Sequence, residues 1–233
     1  MPAPRAPQNI IARGVGSNAF SFVIRFAARA SFLYIGARLY GAAHYGVFTM
    51  ATAVVELAAP IASLGLRRMI FPWLEEETQG DAPRPPMHIV LDALLLAAIA
   101  GALLSVLLVM ATQFLPAAMV SDQLRFAFAL LIPSVLLQNT GDVALASTRW
   151  THKMRYEVIG RGLVEPYVLT AVVLGAWYFG MTETGMLAGY WIASLALALF
   201  SIWSTRHCLG PLHLPHWRPC PRALLPRARA LMP

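Results

Sequence analysis

Arg25 and Arg29 lie four residues apart inside SFVIRFAARASFLYIG, an apolar run from Ser21 to Gly36. Guanidinium stays charged at any physiological pH and grips phosphate or carboxylate in a planar fork. Two of them at the middle of a membrane-length segment are costly. On insertion scales a central arginine costs about 2.5–3.5 kcal/mol, so the pair costs about 5–7. The nine Val, Ile, Leu and Phe residues between Val15 and Ile35 return about 3–5 kcal/mol. Such a segment needs water, neighbours or counter-charges along one side. At 100° per residue, Asn18 and Arg25 differ by about 20° and Arg25 and Arg29 by about 40°. Gly14 and Ser21 fall near the same stripe, whereas Phe22, Ile24 and Leu33 point elsewhere. One face is therefore polar and the other suits lipid.

Other ionisable residues share this depth. Glu56 stands at the middle of the next apolar run, level with Arg25. Asp92, Asp142, Glu157, Arg161 and Glu165 occupy the inner halves of later runs, and Gln138 and Asn139 add uncharged polarity. Intramembrane ionisable groups face the bundle interior and mark substrate or ion paths. Two readings follow. In one, Arg25 or Arg29 pairs with Glu56 and simply ties two helices together. In the other, a water-filled cationic cavity receives an anionic substrate, with Asn18, Arg25, Arg29 and Glu56 as candidate substrate-binding residues. Asp92, Asp142 and Glu165 are candidates for ion coupling, and Glu157 and Glu165, nearer the interface, also suit structural pairing.

The elements that carry these residues are transmembrane helices. Of 233 residues, 58% are hydrophobic and 12% charged, against about 45–50% and about 25% in soluble domains. Six segments reach the roughly 20 residues a span requires: about 14–39, 45–66, 88–114, 123–146, 158–180 and 185–204. The runs are too continuous for the alternation of a membrane barrel. The expected fold is all-α: a polytopic six-helix transmembrane bundle over 14–204, after a short N-terminus of residues 1–13. Pro60, Pro133 and Pro166 fall inside helices, and each frees a carbonyl that a neighbour must satisfy.

Connections alternate in charge. Those near Gly41–His44, Leu115–Asp122 and Met181–Thr184 lack Lys and Arg. The intervening ones hold Arg67, Arg68 and Arg84, then Arg149, Lys153 and Arg155. The N-terminus holds Arg5 and Arg13, and the tail holds Arg206, Arg218, Arg222, Arg227 and Arg229. Positive residues mark the cytoplasmic side, so both termini are expected in the cytoplasm. Arg38 and Arg125 alone dissent. The loop from Arg67 to Met87 is expected to be irregular, with Glu75–Glu77 as a solvated acidic run. The net charge of +7 is a topology signal, with no soluble domain to present it to nucleic acid.

After Ser204 the chain turns rich in Pro, Arg and His without periodicity, and 205–233 is expected to be disordered. Cys208 and Cys220 make no disulfide framework. With His207, His213 and His216 they have no familiar zinc spacing, so no metal or cofactor is expected. The 67–87 connection has neither a D-x-D nor a histidine pair, and an enzyme is not expected.

The stretch ARLYGAAHYGVFTMATAVVELAAPIASLGLRRMI resembles the first-to-second helix signature of polysaccharide flippases in the multidrug/oligosaccharidyl-lipid/polysaccharide exporter superfamily. The resemblance rests on Tyr45-Gly46-Val47-Phe48 after a short outer turn and Ala62-Ser63-Leu64-Gly65-Leu66 before a basic inner end. MRYEVIGRGLVEPY is similar to the corresponding inner-loop pattern, and the likeness covers roughly residues 10–205. It implies two six-helix lobes around a central cavity that alternates access between the membrane faces. It also implies an undecaprenyl-pyrophosphate-linked oligosaccharide as substrate, moved across the bacterial inner membrane during envelope polysaccharide or lipopolysaccharide synthesis. An arginine on the first helix of related flippases lines that cavity, a place that Arg25 and Arg29 match by position. Six spans make one lobe, apparently the N-terminal one, so a second lobe or a homodimer is expected to complete the transporter. A truncated, non-transporting product, an assembly partner and a drug exporter are the competing expectations.

Overall fold

The computed structural model describes residues 8–63, 65–79, 84–116, 120–151, 153, 155–182 and 184–210, with side chains from residue 26 onward except at 79. All regular elements among them are helices: α1 (Gln8–Ala62), α2 (Leu66–Gln79), α3 (Pro86–Gln113), α4 (Asp122–Leu131), α5 (Ser134–Thr148), α6 (Arg155–Ile159), α7 (Glu165–Tyr178) and α8 (Gly185–Leu209). Five helical stretches are long and apolar enough to cross a membrane, and the first of them, 26–78, runs through a break at Gly41. The chain is an all-α, multi-pass membrane protein.

Gly41 splits α1 into two legs. Its φ of 81° and ψ of 158° lie in a region that essentially only glycine visits. The legs then run antiparallel, as their contacts show: Phe32 meets Phe48 with ring centroids 5.7 Å apart, and a Cβ on Gly36 would lie 3.0 Å from the Tyr45 ring. The outer turn expected over about four residues is thus a single residue, and the second leg begins directly after it.

The expectation of an irregular connection after Arg67 is overturned. Residues Leu66–Gln79 form α2, with Leu66, Met69, Ile70, Trp73 and Leu74 buried. Their i, i+3, i+4 spacing makes one apolar stripe. It packs on α3 and α5, while Glu75 and Glu76 remain exposed.

The prolines act locally. The fourth span breaks between Leu131 and Ser134, around Pro133. The carbonyls there find side-chain donors: Trp191 Nε1 bonds Leu130 O at 2.6 Å, Ser134 Oγ bonds Leu131 O at 2.6 Å, and Ser105 Oγ bonds Ile132 O at 3.2 Å. Before Pro166 the helix loosens into a π-helical turn over Gly160–Val164. The ring of Pro166 carries no N–H for the α pattern, and the wider turn accommodates that loss.

α5 lies between α3 and α8, and α7 packs on α8, while α1 touches α4, α5 and α7. Glycines permit these approaches. A Cβ on Gly101 would fall 2.9 Å from Leu136 Cα, and one on Gly189 would fall 2.6 Å from Val173 Cγ2. Two apolar clusters result. One, with Phe32, Phe48, Val55, Leu131 and Tyr190, fills the half near the Gly41 turn. The other, with Leu66, Ile70, Trp73, Ile89 and Val143, fills the arginine-rich end. α8 continues to Leu209, past the boundary expected at residue 204. The tail from residue 211 lies outside the described residues.

Candidate functional site

A cavity of about 480 Å³ opens between the two legs of α1 and the α5–α7 wall. Several of the polar residues expected at membrane depth gather there. Arg29 and Glu56 line it from α1, Arg67 from α2, Gln138 and Asp142 from α5, Glu157 from α6, Arg161 from the π turn, and Glu165 from α7. Tyr190 of α8 and the Tyr45 and Phe48 rings add aromatic walls.

Hairpin geometry explains the first pair. The reversal at Gly41 brings residues 29 and 56 together, and Arg29 Nη2 donates to both carboxylate oxygens of Glu56, at 3.0 and 3.2 Å. The side chains are 74% and 51% exposed. Both face the open side of the cavity, and where that space is water-filled such a pair contributes about 0–1 kcal/mol. Nε and Nη1 of Arg29 make no hydrogen bond among the described residues, so donors remain for a ligand. Arg29 both pairs with Glu56 and lines the cavity, so the geometry is compatible with either of the two readings the sequence left open. The side chains of Asn18 and Arg25 lie outside the described residues.

The second group is tighter. Asp142, whose side chain is only 9% exposed, receives Arg67 Nη1 on Oδ2 at 3.2 Å and Arg161 Nη2 on Oδ1. Arg161 also reaches Glu165 Oε2 at 3.1 Å, one helical turn on. Glu157 accepts from Arg149, with Nε to Oε2 at 2.6 Å, and lies 3.8 Å from Arg67 Nη2. Half-buried charges of this kind persist because each carboxylate meets a guanidinium. The network joins α2, α5, α6 and the π turn at the arginine-rich end of the cavity. Deeper in, Gln138 Nε2 donates to Tyr190 Oη at 2.6 Å, and both are buried.

Two expectations change. The lining is not uniformly cationic: among the described residues Arg29, Arg67 and Arg161 face Glu56, Asp142, Glu157 and Glu165. Asp92 does not join the cavity. Its carboxylate is fully buried beside the α2–α3 cluster and accepts from Arg84 Nη2 at 2.9 Å, the position of a counter-ion that fastens the chain entering α3. Asp142 and Glu165 do reach the cavity, each already held by arginine. Arg67, read as a topology signal, and Tyr190, which carries no sequence signal of its own, are among the lining residues that spacing alone missed. The basic inner end of the second span was the available hint for Arg67.

Asn139, one residue from Gln138, points the other way. It is fully buried and donates to Ala97 O at 2.7 Å and Ala62 O at 3.2 Å. It ties α3 and α1 to α5 rather than serving the cavity.

No curated protein and no solved structure matches the chain. A family model described as polysaccharide biosynthesis protein matches residues 11–227, nearly the whole length and every helix of the cavity wall. The chain therefore belongs to the polysaccharide biosynthesis protein family.

Proposed function

We propose that the chain forms one lobe of a transporter that moves a lipid-linked oligosaccharide, carried on undecaprenyl pyrophosphate, across the bacterial inner membrane by alternating access. A second lobe, or a second copy, supplies the facing wall, and both termini lie in the cytoplasm. The observation that carries this reading is Arg29: an exposed guanidinium, with donors unused among the described residues, beside a cavity of about 480 Å³. Family membership supports it from outside the geometry.

Chemically, the diphosphate headgroup competes with Glu56 for Arg29. The pair is held at one nitrogen, and a diphosphate presents more charge and more acceptors than one carboxylate. Exchange leaves Glu56 without its partner, and uptake of a proton or cation there would couple the step to an ion gradient. Asp142 and Glu165 would tune the same end of the cavity through Arg161. Replacing Arg25 and Arg29 with Ala in the assembled transporter should abolish surface polysaccharide at normal protein levels. Export that survives both substitutions would remove the cavity role.

The four carboxylates favour a second reading, export of an organic cation. A purely cationic lumen would repel such a substrate, whereas this lining does not. Dye accumulation in cells with and without the chain separates the two: the flippase reading expects no difference.

A further inference from the structure

The basic residues at the arginine-rich face fall into two groups. Arg67, Arg84, Arg149 and Arg161 each hold a carboxylate. Arg68, Lys153, Arg155 and Arg206 make no ion pair among the described residues. Three of these four lie on the two chain segments that meet at Tyr156. This ring is buried and has the Arg155 guanidinium carbon 5.1 Å from its centroid. Trp203 and His207 of α8 each stand 6.1 Å from it and stack on each other at an interplanar angle of 8°. Arg206 and His207 are exposed.

The helix face leading to this cluster is apolar. Ile192, Leu195, Leu199, Ile202 and Trp203 are all exposed and, at 3–4 residue spacing, lie on one side of α8. Arg206 continues the same stripe at its end. A stripe of exposed aliphatic side chains ending in an aromatic ring and unpaired guanidinium groups mirrors a phospholipid: acyl chains, glycerol interface, phosphate. Tryptophan and tyrosine belong at that interface, and basic pockets at a membrane face hold anionic headgroups.

We propose that Arg155, Arg206 and His207, set around Tyr156 and Trp203, form a binding site for an anionic phospholipid headgroup, with its acyl chains along the exposed face of α8. The site is separate from the cavity and does not depend on what the cavity transports.

The test uses the full chain purified in mild detergent and offered equal amounts of phosphatidylglycerol and phosphatidylcholine, with retained lipid measured by native mass spectrometry. Each arginine near an anionic surface is worth about fivefold in binding, so phosphatidylglycerol should be retained well over tenfold in excess. The Arg155→Gln/Arg206→Gln double variant should bring the ratio close to one. Arg68→Gln, which removes an unpaired arginine outside the cluster, should leave it unchanged. Raising salt should lower phosphatidylglycerol retention in the unmodified chain, a readout that needs no variant. Equal retention of the two lipids overturns the proposal. So does an Arg68→Gln effect as large as that of the double variant, which would mean a diffuse field and no site.

Discussion

Glu56 holds Arg29 through one nitrogen, in the open, and this weak hold is what makes the pair exchangeable. In Glu56→Gln the guanidinium loses its charged competitor. Inorganic pyrophosphate should then bind up to about fivefold tighter, the scale of an exposed pair, by titration calorimetry on the purified chain. Unchanged or weaker binding would mean that Arg29 does not meet the phosphates. Asp142 behaves differently because it is enclosed between two arginines. Asp142→Ala leaves Arg67 and Arg161 facing each other without the charge between them, although each keeps a glutamate nearby. Loss of one member of a buried pair costs about 3–5 kcal/mol, and the remaining glutamates put this site at the lower end. Thermal unfolding in detergent should show a clear drop for Asp142→Ala and little for Glu56→Gln.

Among the elements, the α1 hairpin depends on one residue. Gly41→Ala places a side chain in a backbone region that disfavours it, at about 1–3 kcal/mol. Nothing lies within 4 Å of the added Cβ, so the cost is purely conformational. Gly101→Leu acts by the opposite route, driving side-chain atoms into the α5 backbone at Leu136, and should cost about 1–3 kcal/mol through overpacking. Both would appear as lowered thermal midpoints, and Gly41→Ala should also weaken the 29–56 pairing, because the legs would no longer reverse there. The π turn and Pro166 place Arg161 and Glu165 at the cavity edge, so this irregular stretch carries two of its charges. α2 was legible in principle: Leu66, Met69, Ile70, Trp73 and Leu74 repeat at helical spacing. The three consecutive acids after them, and the prolines further on, hide that period when the segment is read as a connection between spans.

For the whole molecule, the arginine distribution makes a directional prediction. With Cys208 and Cys220 replaced by Ser, a Cys at Thr78 should resist a membrane-impermeant thiol reagent in intact cells, and a Cys at Phe114 should react. The reverse pattern would invert the orientation. On the proposed reading as one lobe, the open cavity leaves polar groups on a side that must meet water or protein, because unpaired polar groups are costly in hydrocarbon. That is the physical ground for expecting a partner lobe.

Composition and periodicity by themselves determined the class, because a bilayer demands about 20 apolar residues per crossing and closed backbone hydrogen bonding. The sequence reading of six spans compares with five long apolar helical stretches among the described residues, the first of them broken at Gly41. They also determined that Arg25, Arg29 and Glu56 could not all face lipid. Only the tertiary structure decided that Arg29 meets Glu56 and that Arg67 and Tyr190 join the wall. It alone set Asp92 apart with Arg84 and gave the cavity mixed charges. Those outcomes depend on how far each leg rotates and where each helix breaks. Small angular offsets at Gly41, Pro133 and the π turn decide which side chains converge, and one chain's residue spacing does not encode the angles between its helices.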